Sequence, residues 1–225
     1  MTGIDNTTLD ALTGLGIRQD FEETIKKSIQ QARAKDEPLS LAFLDIDNFK
    51  RLNDSLGHRA GDTIITAVAN TIKTMTADHG MVYRYGGEEY TIILPATERE
   101  QAFLLIEQIR AEIARQSSLS DGESTVNVGV TISGGIAAFP IDGQDENELL
   151  RKADQALYKA KQTGRNKILL SYEEKMVPKT SYFNQTQLNR LAALAKDMGI
   201  GEAVLLREAL DDLLIKYLHA FADKR

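Results

Sequence analysis

Cysteine is absent from the 225-residue sequence. That removes disulfides, thiolate metal sites and cysteine nucleophiles together, and leaves a carboxylate-based site for a hard cation as the natural metal option. No stretch approaches the roughly 18 consecutive apolar residues of a membrane span, and the opening MTGIDNTTLDALTG lacks the basic-then-apolar order of a signal peptide. No membrane association is expected, and the cytoplasm is the expected compartment. Positive charge is in deficit, with 27 Lys and Arg against 33 Asp and Glu for a net charge of -6. A broad nucleic-acid-binding surface is therefore not expected, although a local one is compatible with the balance. Internal repeats and low-complexity segments are lacking as well. What is present is a hydrophobic share of 42%, ample for a packed core in one large domain or in a medium domain followed by a small one.

Periodicity gives an alternation of helices and strands. Phe21, Ile25, Ile29 and Ala32 form an apolar stripe at helical spacing over residues 18 to 35, and Pro38 ends it. A strand over 39 to 46 finishes in the acidic triplet DID, and NFKRLNDSLG starts a helix just past it. A second long helix is predicted over 62 to 77, with Asp62 as a candidate N-cap. The stretch MVYRYGGEEYTIIL (81 to 94) reads as a tight hairpin, because two runs of aromatic and β-branched residues flank Gly86 and Gly87. Further elements are a helix over 98 to 116, a long strand region from Val126 to Phe139, a helix over 145 to 163 and a strand over 167 to 171. The fold class is α/β, a sheet layered by helices with a β-hairpin at its working edge.

Two constellations carry chemistry. Asp45 ends an apolar strand, which places its carboxylate where open α/β sheets bind ligands. Asp45 and Asp47 are not expected to act together, and one of the two reads as structural. At the hairpin tip a turn needs Gly86 and Gly87 but not Glu88 and Glu89, and only Arg84 is close enough in sequence to neutralise them. If the sheet brings Asp45 beside Glu88 and Glu89, the convergence calls for a cation, Mg²⁺ bridging a nucleotide's phosphates. The uncapped amides at the start of the NFKRLNDSLG helix, with Lys50 beside them, suit a phosphate. Each feature singly also has a plain reading: a strand-end Asp as a helix cap, a solvated hairpin, Asn53 as a solvated helix residue, and His58 as a loop histidine.

The ordered combination of DALTGL (10 to 15), LDIDNFKRLNDSLGHRAGD (44 to 62), YRYGGEEY (83 to 90) and KADQALYKAKQTGRN (152 to 166) resembles the GGDEF family of diguanylate cyclases, over about residues 5 to 172. The resemblance implies a palm-like sheet akin to that of class III nucleotidyl cyclases and a domain over 1–172. It also implies a reaction in which two antiparallel monomers, each holding one GTP, join the pair into cyclic di-GMP with release of two pyrophosphates. Gly86 and Gly87 would let the hairpin backbone approach the nucleotide. Asp45, the Ile46 carbonyl and Glu88 would hold two Mg²⁺ or Mn²⁺ ions per GTP-bound site, with Glu89 near the metal or the attacking ribose. Asn53 and Asp62 would read guanine, and the Asn48 and Phe49 amides, Lys50, Lys161 and Arg165 would hold phosphates. Lys161 and Arg165 also suit the last turn of a helix capped by Gly164.

The departures from the family pattern have consequences of their own. Tyr90 stands where Phe is usual, and Ile17 replaces an Asn, which leaves the role of Arg18 open. Ala77 and Gly80 occupy the positions of the RxxD product-inhibition motif, so no such site is expected. SGGIAAF (133 to 139) carries one Gly beyond the usual pattern.

After a linker over 173–178 containing Pro178, residues 179–225 form a small β-α-α unit: a short strand, a helix from Gln185 to Met198, a Gly-Ile-Gly turn and a longer helix. Leu188, Leu191, Ala192, Leu194 and Ala195 line one face of the first helix, and Leu205, Leu206, Ala209, Leu210, Leu213, Leu214 and Tyr217 line the second. About 45 residues are too few to bury such faces alone, so a homodimer is expected. The register resembles ribbon-helix-helix DNA-binding dimers, in which Thr180, Tyr182 and Asn184 would face the DNA major groove. From Met176 onward seven basic residues meet six acidic ones, a weak phosphate-binding surface. A dimerisation clasp and DNA binding both stand. The alternatives to a cyclase are a transcription regulator and a nucleotide-sensing module.

Overall fold

The computed structural model describes residues 9–171, 181–199, 201–203, 205, 206, 209, 210 and 213. The expected linker, Thr180, Leu214 and Tyr217 lie outside the described residues. The chain divides into two compact units, Met1–Glu174 and Lys175–Arg225.

In chain order the first unit contains β1 (Gly16–Ile17), α1 (Arg18–Lys35), β2 (Leu39–Ile46), α2 (Phe49–Leu56), α3 (His58–Thr76), β3 (Met81–Arg84), β4 (Glu89–Pro95), α4 (Arg99–Arg115), β5 (Leu119–Ser120), β6 (Thr125–Val126), β7 (Ile132–Phe139), α5 (Glu146–Gln162) and β8 (Ile168–Leu170). Six strands form one sheet in the order β1-β3-β4-β2-β7-β8. The central strand β2 runs antiparallel to both β4 and β7. It is buried along its whole length, as its largely apolar run requires, with Ser40 and Asp45 as the polar exceptions.

The alternation of side chains along β2 divides the core in two. Ala42, Leu44 and Ile46 join Ile64, Val68, Ile72, Ile106 and Ile109 from α3 and α4. Leu39, Leu41 and Phe43 join Phe21, Ile25, Leu149, Ala153 and Leu157 from α1 and α5. By that period of two, Asp45 continues the second set and points toward the side on which α5 lies.

Three expectations are corrected. The long strand over 126 to 139 is broken: β6 pairs with β5 in a separate small hairpin, and the main-sheet strand begins only at Ile132. Gly129, in the gap, is exposed, and a Cβ there would meet no neighbour. Asp62 is not a helix cap, because α3 begins at His58 with Gly57 as its N-cap, at φ +86°. His58 is correspondingly the exposed first residue of a helix rather than a loop residue.

Both glycines of SGGIAAF have a packing reason, since a Cβ at Gly134 would lie 2.4 Å from Leu44 Cδ2. A Cβ at Gly135 would lie 2.0 Å from the Ala153 carbonyl oxygen and 2.4 Å from the Leu157 amide nitrogen. Only glycine lets α5 press backbone to backbone onto β7. The helix that carries Lys161 is thereby fixed against the strand next to Asp45.

In the second unit α6 (Gln185–Met198) starts at Asn184, whose side chain accepts a bond from the Gln187 amide in a reciprocal capping box. The described residues between 202 and 213 are helical. Residues 181–184 form no strand, and Asn184 is committed as a cap rather than a ribbon residue. A two-stranded ribbon takes its hydrogen bonds from a second copy, so one chain alone offers this segment no partner strand.

Candidate active site

Three carboxylates gather at one edge of the sheet. The register of β2 and β4 sets Asp45 directly opposite Glu89. The Ile46 amide donates to the Glu88 carbonyl at 3.2 Å, joining the hairpin tip to the end of β2. Burial pushes the Asp45 carboxyl above its usual range, and the charges of Lys161 and Arg165 offset this only in part. Burial, followed by the Asp45 charge, also raises Glu88 and Glu89. The ammonium of Lys161 lies 2.8 Å from Asp45 Oδ2, and the Asp45 side chain is only 6% exposed.

Arg84 does not neutralise the acids, contrary to the sequence expectation. Its guanidinium pairs with Asp10 at 3.0 Å and donates to the Gly87 carbonyl at 2.7 Å. The hairpin tip is thereby strapped to the DALTG turn. That turn is closed by Asp10, whose carboxylate accepts from the Thr13 amide and hydroxyl. A Cβ at Gly86 would lie 2.4 Å from Glu89 Oε2, so any larger residue there would make the Glu89 side chain turn away. Gly87 has open space on that side.

The helix that follows β2 is prepared for an anion. Asn48 occupies the left-handed region at φ +56° and its side chain makes no capping bond, which leaves the first amides of α2 without a side-chain partner. Phe49 is buried and anchors the turn, while Lys50 is exposed beside it.

Asn53 and Asp62 make a second group where α2 meets α3. Asn53 Oδ1 is buried without a hydrogen-bond partner. A Cβ at Gly61 would lie 1.8 Å from that oxygen, so the glycine of HRAGD makes its room. Asp62 is exposed next to it. Sequence reading missed Gly61, although a glycine early in a helix is itself a signal of close approach.

At the other end of α5, the helix finishes on Gly164 at φ +111°, with the Arg165 amide bonded to the Ala160 carbonyl. Asp47 is buried and accepts from Thr131 Oγ1, Ser133 Oγ and the Asn166 amide, so it is bonded to the protein on every side. It is the structural member of the DID pair.

The donor set suits a hard cation. Among the described residues no three acidic or histidine side chains are arranged to enclose a metal ion by themselves. Mg²⁺ is commonly held by one or two carboxylates together with substrate phosphates, and Asp45 beside the glutamates at a phosphate-ready helix start offers that arrangement.

The model for the diguanylate cyclase GGDEF domain matches residues 7–167. The chain belongs to the GGDEF family. The ribbon-helix-helix domain model matches residues 175–218, so a GGDEF domain is followed by a ribbon-helix-helix domain. Diguanylate cyclase A of Treponema denticola is 36% identical over 171 residues, which are 75% of this chain and 45% of that protein. The cyclic di-GMP phosphodiesterase NbdA of Pseudomonas aeruginosa is 35% identical over 157 residues, 70% of this chain and 20% of that protein. The chain thus spans less than half the length of either relative. Among solved structures, the GGDEF domain of DgcB from Caulobacter crescentus in complex with c-di-GMP aligns with a TM-score of 0.67 at 32% identity, covering 77% of this chain and 97% of that one. The active GGEEF domain of a diguanylate cyclase from Vibrio cholerae aligns with a TM-score of 0.64 at 33% identity, covering 70% of this chain and 97% of that one.

Proposed function

We propose that the GGDEF domain is an active diguanylate cyclase that condenses two GTP molecules, one held by each of two copies of the chain, into cyclic di-GMP and two pyrophosphates. The observation that carries this reading is the sheet edge where Asp45, Glu88 and Glu89 crowd together beside the ammonium of Lys161. The presence of these acids together argues against a degenerate sensor.

Asp45, the Ile46 carbonyl and Glu88 would hold the divalent ions. When bound, those ions supply charge neutralisation at the α-phosphate and acidify the attacking 3'-hydroxyl. The first amides of α2, from Phe49, with Lys50 alongside, receive phosphate oxygens. Lys161 leaves Asp45 for the terminal phosphates as the nucleotide arrives, and Arg165 joins it. Asn53 Oδ1, buried and unpartnered, accepts from guanine, and Asp62 takes the neighbouring donor. Adenine lacks that donor pair, so ATP is rejected. The bond formed joins the 3'-oxygen of one nucleotide to the α-phosphorus of the other. The bond broken releases pyrophosphate, and Glu89 lies at the edge where the hydroxyl proton departs.

The ribbon-helix-helix unit supplies the homodimer. Leu188, Leu194, Leu206, Leu210 and Leu213 are exposed in a single copy. Pairing through that face raises the effective concentration of one half-site for the other to the order of mM. DNA binding is the second reading, favoured by the domain match itself and by Tyr182, which is 98% exposed just before α6.

The test is incubation of the purified protein with GTP or ATP and Mg²⁺ or Mn²⁺, with product chromatography and a Glu88→Gln/Glu89→Gln control. Cyclic di-GMP is expected from GTP only, and the control is expected to be inactive. GTP binding without product in a confirmed dimer would overturn the cyclase reading. In the same assay added cyclic di-GMP is expected to leave the rate unchanged, since Ala77 and Gly80 supply no charge at the motif positions.

A further inference from the structure

The turn after α5 is held in a conformation that its residues do not favour. Gly164, Arg165 and Asn166 follow one another at φ +111°, +60° and +47°. Glycine adopts this region freely and asparagine tolerates it, but arginine does not. A non-glycine residue stays there only when its surroundings over-determine it. Two sets of contacts do so. From the sheet side, buried Asp47 accepts the Asn166 amide at 2.9 Å, while Thr131 and Ser133 each donate to the same carboxylate at 2.7 Å. From the helix side, Arg110 Nη1 donates to Asn166 Oδ1 at 2.7 Å. Arg110 is braced by Glu107 at 2.9 Å, and Glu107 in turn accepts the Ile168 amide at 3.0 Å.

We propose that Asp47 is a positioning residue for phosphate recognition: with Arg110 it clasps Asn166, fixes the backbone of Arg165, and so aims the cationic end of α5 at the edge occupied by Asp45. The clasp rests on the reading above that Lys161 and Arg165 hold the terminal phosphates. Asp47 acts here as a hydrogen-bond acceptor and not as a metal ligand, because its oxygens are already taken by three protein donors. Its neighbour Asp45 is paired with the Lys161 ammonium and is the acid of the two that this reading turns toward the nucleotide. The two carboxylates of DID therefore divide the work, one facing the nucleotide and one holding the group that grips it.

The distinguishing measurement compares affinities for GTP and GMP by calorimetry on the full chain in Mg²⁺, since GMP lacks the phosphates that the clasp serves. Asp47→Ala is expected to weaken GTP about tenfold and leave GMP within about twofold, whereas Asp47→Asn restores GTP to within about threefold. Asparagine can turn its carbonyl to Thr131 and Asn166 and donate its amide to Ser133, so the acceptor survives without the charge. Equal loss of GTP and GMP, unchanged GTP binding in Asp47→Ala, or failure of asparagine to rescue overturns the proposal. If Asp47→Ala does not fold, Arg110→Gln reports on the same clasp from its exposed side, with GTP weakened about threefold and GMP unchanged. Arg165→Ala separates the two levels. If it leaves GTP binding intact, the phosphate role of the turn is wrong and the clasp falls with it. If it weakens GTP while Asp47→Ala and Arg110→Gln do not, only the clasp is wrong.

Discussion

Tyr90 shows how one atom beyond the family pattern is accommodated. Its ring is fully buried beneath α3, and its hydroxyl donates to the Ile65 carbonyl at 2.9 Å. Burial pushes the phenol well above its usual range, so the hydroxyl remains a donor at every working pH. Tyr90→Phe removes that bond without removing the ring. The expected cost is about 1 kcal/mol, a fall in Tm of roughly 2–4 °C, with turnover unchanged. A thermal melt beside a GTP assay checks both halves, and a large loss of activity with an intact fold would contradict the purely structural role. The residue's identity as a buried aromatic is legible in a strand pattern, whereas the acceptor on another element is not. The same holds for Gly61 and Gly135, whose need for a missing side chain depends on Asn53 and on the α5 backbone.

At the scale of elements, the catalytic hairpin is positioned by a strap that local sequence does not reveal. Arg84 stands beside the glutamates in sequence, yet it binds Asp10, 74 positions away. Burial works against the Asp10 charge, but the Thr13 hydroxyl and amide and Arg84 outweigh it and hold the carboxyl below its ordinary value of 3.8. A carboxyl depressed in the folded state contributes stability that is complete above the unfolded value and disappears as pH falls through the folded one. Asp10→Asn is therefore expected to lower Tm at neutral pH, with the gap to the native protein closing as pH falls below the ordinary value of 3.8. Melts across that range test the sign, and a gap that widens on acidification would exclude this account. The mutation is also expected to reduce turnover, because the Gly87 carbonyl loses the support of a fixed Arg84.

At the scale of the molecule, two compact units share one chain, and the proposed reaction uses two chains. Among the described residues no helix is long and apolar enough to cross a membrane. If the tail supplies assembly, Leu194→Glu and Leu210→Glu together are expected to convert a dimer to a monomer in light scattering. Activity at nanomolar protein should fall by about tenfold or more, and recover as concentration rises. A monomer that keeps its full specific activity at low concentration would show that the GGDEF unit assembles without the tail. A charged substitution on these faces leaves the first unit's two core clusters untouched, since both lie wholly within residues 15 to 168.

The sequence by itself determined the alternation of helices and strands, the acidic ends of β2 and of the hairpin, and the existence of a small helical tail. These depend on periodicity and on residue type, which are local. Tertiary structure alone decided that Arg84 serves Asp10, that Asp47 is saturated while Asp45 meets Lys161, and that the strand predicted from Val126 starts only at Ile132. Each of those outcomes depends on which distant donor or backbone arrives beside a residue. A hydrogen bond or an ion pair depends on that arrival and not on spacing along the chain.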